Sequence, residues 1–595
     1  MPATTPPAAP AASRIATILW AGAAMLVLAC VGLGSIFYST PYEQARALGR
    51  LTFNDEGFYR LRLALTPAGY GWLRALLAAG AMLGLVAGGW LHYTARPLAP
   101  MRAEIRRAFA RTARWWCRLP LSARLLAGGL LGLLVVVRSW YMVYYPLGTD
   151  EVASYDYFVH QGPLAITSYY PIPNNHIFYN LLAWPLAAAG LSPRLAMRLP
   201  TLVLGTIGSG LTYRLLARLI SLRLATLLTG LVGLAPVWVY YAAVGRGYFL
   251  QICLLQIGFF AVAELLRPAS AYRHLSWLAL LLTSVLGFYT IPTYFYPFVG
   301  LMLGLGGGYL LRARWPELRA LVVAGLVIFV ITLLLYTPVI VVTGLPSLVA
   351  NRYIAAKTSA QFWPPFRAVL YETAAGLFGP SLRISGPAWL GGALLGGVAL
   401  RHWVPAGPRQ TLGLLAWAML VVPIPMMTLQ QVYAPLRTVL YLTFFGYLLL
   451  ALLGRQWLPR RRLPSPWRWP LIAGLVLAIG GYRLARHQGQ VRASRYETQQ
   501  LEQAYQWLSR QPGRPAQPRR VWLNSPIHEL FFAHYALQQP HPTTLRLFSG
   551  TNQGPRQPYD FVVTDNYYPQ TAGRVRARYR LVYHDYLITI YAPRP

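Results

Sequence analysis

The feature that most constrains this chain is the recurrence of apolar runs about twenty residues long, the length at which a helix crosses a hydrocarbon core. Such runs occupy 15–37, 71–93, 123–145, 199–218, 222–241, 247–266, 275–290, 293–311, 319–341, 386–400, 411–428, 436–453 and 469–483. The expected architecture is therefore an all-α polytopic membrane bundle of about thirteen transmembrane helices. Helices suit that solvent because each satisfies its own backbone hydrogen bonds. Composition agrees: 56% of the residues are hydrophobic and only 12% charged, against roughly 25% in soluble domains. An ordinary soluble enzyme is excluded.

Charge then orients the bundle. There are 53 Lys+Arg against 16 Asp+Glu, a formal charge of +37, which on a polar chain would suggest nucleic acid. A mean hydropathy of +0.41 makes anionic lipid headgroups the better partner, and no nucleic acid is expected. Arg96, Arg102, Arg106, Arg107, Arg111, Arg114 and Arg118 crowd between the second and third runs, which places 94–123 in the cytoplasm. Alternation from there puts the N-terminus inside and leaves 38–70, 146–198, 342–385 and a tail from 484 outside. The first run is longer than a signal-peptide core and reads as a retained anchor.

The tail changes character. After a polar helical stretch from Tyr496 to Leu508 and a Pro/Arg linker at 511–519, Val521-Trp522-Leu523 reads as a strand and Ser525 to Leu537 as a helix. Asp560 to Thr564 reads as another strand and Tyr579 to Tyr591 as a strand pair. The expected domains are 1–122, two helices and a basic cytoplasmic loop; 123–483, a membrane core with external loops 146–198 and 342–385; and 484–595, a small extracytoplasmic α/β domain. Cys30, Cys117 and Cys253 show neither a disulfide framework nor zinc-ligand spacing. No phosphate-cradling glycine motif is present, so an activated substrate would arrive through the lipid or from outside.

Three of the few carboxylates, Asp150, Glu151 and Asp156, fall within seven residues just after the third run. One reading is helix capping, with Asp150 as N-cap and Glu151 in the first turn. The other is catalysis, since carboxylates at a membrane edge are costly and tend to mark function. Helical neighbours point about 100° apart, so one would be the base and the other its support. A carboxylate base suits an acceptor hydroxyl when the leaving group is already good, as in a phosphate-linked sugar.

Downstream, Asn174-Asn175-His176 introduces an expected helix over 176–189 on the outer membrane surface, with His176, Tyr179 and Asn180 on one face. These residues and Asn175 are candidates for positioning donor or acceptor; the alternative is an interfacial anchor with its polar side in water. A departing phosphate needs cations, for which Arg246, Arg352, Lys357 and Arg437 are external candidates. Snorkelling to headgroups would explain any one of them. Arg138 and Glu264 read as boundary or packing charges. Trp363 and Phe366, beside Pro364-Pro365, suggest a short interfacial helix.

The order of these features resembles the GT-C superfamily of integral membrane glycosyltransferases, in particular the branch with protein O-mannosyltransferases and the lipid A aminoarabinose transferase. Asp150-Glu151 stands where that branch opens its first large external loop with an acidic pair. Gly190 to Pro200 resembles its Gly-x-x-x-x-x-x-Arg-Leu-Pro segment, Tyr213 to Arg218 its Tyr-x-Leu-Ala-Arg span end, and Gly245-Arg246-Gly247-Tyr248 its external Arg/Tyr turn. The resemblance covers roughly 123–454. It implies a bundle whose cavity opens to the outer leaflet, where a polyprenyl-phosphate sugar meets a glycan, lipid or protein acceptor. It further implies Asp150 as general base and Glu151 as its support; the residues expected at the donor phosphate, from the need for cations and their neighbour in the turn, are Arg246, Tyr248, Lys357 and Arg437.

The chain departs from that pattern in two places. Asn174-Asn175-His176 stands where the family often has a lysine or paired prolines, and two extra spans precede the core. No cofactor is required by the sequence; two carboxylates could hold a divalent ion, but no third ligand stands at suitable spacing. The expected location is a bacterial inner membrane. The competing readings are a transporter or lipid flippase, and a noncatalytic envelope-assembly protein whose tail binds a partner. A chain ending near 484 should lose all function if the tail is a binding module and only part if the protein is an enzyme.

Overall fold

The computed structural model describes residues 11–51, 63–349, 356–378, 386–457, 468–511, 518–539, 545–550, 554–555 and 557–595. Arg352 and most of the 511–519 linker lie outside them. The helices that matter here are α1 (Ala11–Ser39), α2 (Pro67–Ala95), α3 (Leu98–Arg118), α4 (Leu121–Tyr144), α5 (Thr149–Ser154), α6 (Pro163–Ser168), α7 (Ile177–Ala188) and α8 (Pro193–Leu219). They continue as α9 (Leu222–Gly233), α10 (Pro236–Ala243), α11 (Gly247–Leu265), α12 (Arg273–Thr290), α13 (Phe295–Leu310), α14 (Trp315–Val342) and α15 (Ser359–Phe378). The last are α16 (Gly386–Trp403), α17 (Pro408–Val421), α18 (Pro423–Gln430), α19 (Tyr441–Trp457), α20 (Arg468–Arg510), α21 (Pro526–Leu537) and α22 (Pro569–Val575).

Every apolar run of the sequence is helical, but the helices are not thirteen uniform spans. Among the described residues six are long and apolar enough to cross a membrane, or seven if the bent pair α9–α10 counts as one. The difference is one of helix ends. Pro236 has no N–H to continue α9, and α10 leaves at 73°. Pro423 likewise opens α18 directly after α17. An apolar run fixes where the chain is buried but says nothing about breaks within it.

The N-terminal hairpin is a buttress. α1 and α2 lie against each other and against α14. At one end Arg14 donates to Glu317 at 2.7 Å; at the other, Tyr70 Oη and Arg74 donate to the Thr40 carbonyl at 2.8 and 2.7 Å, satisfying a carbonyl at the C-terminal end of α1. α14 in turn carries the segment before the site. Thr343 Oγ1 donates to the Ser168 carbonyl at 2.6 Å and accepts from the Tyr170 N–H at 3.1 Å.

α3 is amphipathic: its arginines at 102, 106, 107, 111, 114 and 118 are exposed, while the buried Glu104 meets His274 Nδ1 and the Leu275 N–H, each at 2.8 Å.

α20 runs unbroken for 43 residues, about 65 Å at 1.5 Å per residue. The expected boundary at 483/484 falls inside it, and the polar stretch from Tyr496 to Leu508 lies near its far end. The tail beyond it forms a five-stranded sheet of β1 (Arg519–Leu523), β2 (Leu545–Ser549), β3 (Phe561–Asp565), β4 (Tyr579–His584) and β5 (Ile588–Pro593), in the order β2-β1-β3-β5-β4. β2, β1 and β3 are parallel; β5 joins β3 antiparallel and β4 joins β5 antiparallel. α21 occupies the place expected for a helix, whereas β2 and α22 were not legible from sequence.

The sheet is not a detached appendage. Val152 and Ala153 of α5 are buried in one apolar cluster with Leu501 and Tyr505 of α20, Phe531 and Phe532 of α21, and Val521 and Val563 of the sheet. The Asp156 carboxylate reaches His534 Nδ1 of α21 at 2.8 Å.

Candidate functional site

The acidic pair divides as helical geometry requires. The N-cap of α5 is Gly148, not Asp150, so Glu151 stands at N3 and takes the Gly148 N–H on Oε2 at 3.1 Å, the carboxylate half of a capping box. The Glu151 side chain is 2% exposed. Arg198 grips it with both edges of its fork, Nε to Oε1 at 2.8 Å and Nη2 to Oε2 at 2.6 Å, and the Gly245 N–H adds a bond to Oε1 at 2.6 Å. Burial alone would raise this carboxyl; the Arg198 charge and the hydrogen bonds from Arg198, Gly245 and Gly148 reverse that and hold it below the ordinary value. With four donors on two oxygens Glu151 is a fastener. It ties α5, the start of α8 and the α10–α11 link together.

Arg198 completes that knot by donating to the carbonyls of Met142, Tyr145 and Pro146 at 2.7, 2.9 and 2.8 Å. The sequence contained a signal for it: an arginine in the apolar first turns of α8 needs a counter-charge, and a buried acid 47 residues earlier supplies it.

Asp150, one residue away, is open. Its side chain is 47% exposed, and its Oδ2 lies 3.8 Å from Arg246 Nη2. Arg246 is buried and spends most of its fork on structure. Nη1 donates to the Asp150 carbonyl at 3.0 Å, to the Asn174 carbonyl at 3.1 Å and to Ser154 Oγ. Nη2 faces His176 Nε2 at 3.2 Å. His176 Nδ1 accepts the Gly247 N–H at 3.0 Å, which in a neutral imidazole leaves the ring proton on Nε2, the nitrogen that faces Arg246. Burial and the neighbouring Arg246 and Arg437 charges push its pKa well below the ordinary histidine value. The Tyr248 ring meets His176 edge-on at 4.7 Å and Tyr241 at 5.3 Å.

Arg437 reaches the same place from the turn before α19. It is exposed, and against the effect of burial the Tyr248 and Asp150 side chains act on its charge and raise its pKa. Of the described candidate cations it is the one both exposed and facing Asp150. Lys357 sits farther along the rim, exposed, with its ammonium 5.7 Å from the Tyr433 ring centre and its backbone N–H on the Gln431 carbonyl at 3.0 Å.

The polar residues of α7 point into protein rather than toward headgroups. Asn175 donates to the carbonyls of Ile166 and Tyr169 at 2.8 and 3.0 Å and accepts from Asn180 Nδ2 at 2.9 Å. Tyr179 is fully buried against the Met197 carbonyl and Thr201. Only His176 of this group adjoins Asp150's neighbours. Asn174, which the sequence reading left aside, donates to the Asp150 carbonyl at 3.1 Å.

A cavity of about 790 Å³ opens beside this cluster. Tyr240 and Tyr241 form one wall, Gly376, Phe378 and Leu436 another, and Arg483 and Arg486 of α20 lie on the third. Tyr241 is shared with the Tyr248–His176 stack, and Leu436 adjoins Arg437, so the cavity meets the Asp150 cluster along that edge. Among the described residues no group of three His, Cys, Asp or Glu side chains could hold a metal ion.

The arrangement of this bundle has counterparts among solved structures. ArnT from Cupriavidus metallidurans, determined bound to undecaprenyl phosphate, is matched over 78% of this chain and 97% of its own with a TM-score of 0.50 at 13% identity. The two proteins share a fold. Two others align less closely: the Archaeoglobus fulgidus oligosaccharyltransferase, with 79% of this chain and 75% of its own covered, TM-score 0.45 and 12% identity, and the arabinosyltransferase EmbB from Mycobacterium smegmatis, with 71% and 45% covered, TM-score 0.44 and 14% identity. No protein-family model and no curated protein sequence matches the chain. With six helices among the described residues long and apolar enough to cross a membrane, the chain is a multi-pass membrane protein.

Proposed function

We propose that this protein is a glycosyltransferase that moves a sugar from a polyprenyl-phosphate donor to a hydroxyl of a glycan, lipid or protein acceptor, at the outer face of a bacterial inner membrane. The observation that carries this reading is the division of labour within the acidic pair. Glu151 is saturated and rigid, whereas Asp150 presents a half-exposed carboxylate whose backbone is pinned by Arg246 and Asn174. A general base needs a free lone pair at a fixed position, and Asp150 has both.

The reaction is a single displacement. Asp150 takes the proton of the acceptor hydroxyl, the acceptor oxygen bonds to the anomeric carbon, and the carbon–oxygen bond to phosphate breaks with its electron pair leaving on polyprenyl phosphate. Inversion at the anomeric carbon follows. Arg437, with a fork suited to phosphate oxygens, receives that charge, and Arg246 holds Asp150 in place. His176, kept neutral, adds no further cation. Tyr248 acts on the Arg437 charge, and Lys357 is an exposed cation that the donor phosphate could meet. The 790 Å³ cavity, largely apolar with arginines along one wall, suits an amphiphilic lipid substrate. In this orientation the arginines of α3 face the cytoplasm and the sheet lies outside.

A transporter or lipid flippase is the second reading, favoured by one observation: the broken pair α9–α10, since transporters use discontinuous helices at their sites. The assay that separates them follows label from polyprenyl-phosphate sugars into acceptors in right-side-out and inverted vesicles. Transfer by the wild type and none by Asp150→Asn, with equal amounts of folded protein, supports the enzyme. Movement of labelled lipid between leaflets without transfer would replace it by the transporter.

A further inference from the structure

The mechanism above leaves unused a charged residue deep in the bundle. Arg138 lies on α4 six residues before its end, roughly 9 Å along the helix from Tyr144, and is 2% exposed. Among the described residues no carboxylate acts on it. Its Nη1 donates to the Gly205 carbonyl at 3.2 Å and its guanidinium lies 4.9 Å from the Phe249 ring centre. Those contacts hold the group but leave its charge uncancelled, and ionisable groups inside a membrane protein are ordinarily paired.

Three of the residues that line one small pocket each carry a buried polar atom without a partner: Arg138 Nε, Thr229 Oγ1 and Trp238 Nε1. The pocket has a volume of about 20 Å³, room for one particle the size of a water molecule. The guanidinium and indole groups can only donate, and the threonine hydroxyl can donate as well. Of the other polar side chains around it, Ser209 donates to the Gly205 carbonyl at 2.7 Å and Thr212 to Gln256 Oε1 at 2.9 Å. A water there could use the lone pairs of the Ser209, Thr212 and Thr229 hydroxyls for its own hydrogens, but it would leave the positive charge standing. A monatomic anion needs only donors and cancels it.

We propose that Arg138, Thr229 and Trp238 form a binding site for a small monovalent anion of the halide class, chloride under ordinary conditions. The three residues come from three helices, α4, α9 and α10, and two of those are the halves of the broken span. The anion therefore bridges the 73° break and fixes the tilt of α10, which presents Tyr240 and Tyr241 to the large cavity. Its role is structural and does not depend on the transferase reading.

The test uses the full-length protein in nanodiscs, with thermal unfolding followed in sodium chloride, bromide or gluconate at equal ionic strength. Wild type should melt about 3 °C or more higher in chloride and bromide than in gluconate. Arg138→Met should erase the difference. Thr229→Val, which removes one donor with little change of shape, and Trp238→Phe, which removes one donor together with part of the indole, should each raise the chloride concentration of half-effect about tenfold, the loss of one hydrogen bond to a charged group. Equal melting of the wild type in chloride and gluconate, or an unaltered half-effect in both conservative variants, would overturn the proposal. So would the absence of a bromide anomalous peak beside Arg138 Nε in crystals grown with bromide.

Discussion

Adjacent carboxylates at 150 and 151 differ because a helix turns them to different neighbours, and their substitutions should differ accordingly. Asp150→Asn removes the proton acceptor and also the carboxylate 3.8 Å from the buried Arg246, so transfer should vanish, while the melting temperature should fall less than in Glu151→Gln because Asp150 is half-exposed and takes no close hydrogen bond from that guanidinium. Glu151→Gln leaves the Arg198 guanidinium charged and buried with no counter-ion, a loss of about 3–5 kcal/mol. It should appear as low yield of folded protein. If Asp150→Asn proved the unstable one and Glu151→Gln the stable one, the roles would have to be exchanged.

Titration belongs to the same scale. His176 is held neutral in the folded state with its pKa below the unfolded value of about 6.5, and His528 is lowered in the same direction by burial, against the pull of Asp565 and Asp585. For a lowered histidine the unfolded chain binds the proton first. Stability is then complete above pH 6.5 or so and falls as the pH drops, by at most about 1.4 kcal/mol per pH unit for each group. Melting temperatures should therefore decline between pH 7.5 and 5.5, and the decline should be shallower in His528→Asn. A flat profile over that range would contradict the neutral assignment.

The helices were legible as elements because twenty apolar residues in a row have few alternatives in a membrane protein. Their breaks were not, because Pro236 and Pro423 lie inside runs that hydrophobicity reads as continuous. The tail strands β1, β3, β4 and β5 were visible in alternating or β-branched stretches. β2, with Arg546 in its middle, was not. α20 was read as two pieces because its surface changes from apolar to polar near 483 while its backbone does not change. At the site, the motif Asp150-Glu151 and the turn Gly245-Arg246-Gly247-Tyr248 drew attention to segments that the fold brings together, but the pairing of Glu151 with Arg198 is a tertiary fact.

That turn is the element most exposed to substitution. A Cβ at position 245 would lie 2.6 Å from Met197 Cβ and 2.8 Å from the Met197 carbonyl carbon and oxygen, and backbone cannot step aside as a flexible side chain can. Gly245→Ala should cost about 1–3 kcal/mol through overpacking and loosen the Gly245 N–H bond to Glu151. Comparison of its melting temperature with that of Gly32→Ala, where a Cβ meets nothing within 4 Å, measures the effect; equal values would show that α8 gives way.

For the whole molecule the decisive contact is between the tail and α5. Since Val152 and Ala153 share a core with α20, α21 and the sheet, a chain ending near 484 would lose the packing behind Asp150. Loss of all function by that truncation would therefore not distinguish a binding module from an enzyme. A finer probe is the Asp156–His534 contact. Asp156 is buried, and burial raises its pKa against the opposing hydrogen bond and charge of His534; Oδ1 meets His534 at 2.8 Å while Oδ2 has no partner. Removing His534 alone strands the carboxyl, and removing both groups relieves that penalty. The double-mutant cycle over Asp156→Ala and His534→Ala should then give a coupling of about 1–3 kcal/mol, with transfer reduced in the single variants in proportion to their loss of stability. Additive effects at 156 and 534 would mean that the tail merely leans on the first loop, and a truncated chain should then retain part of its transfer activity.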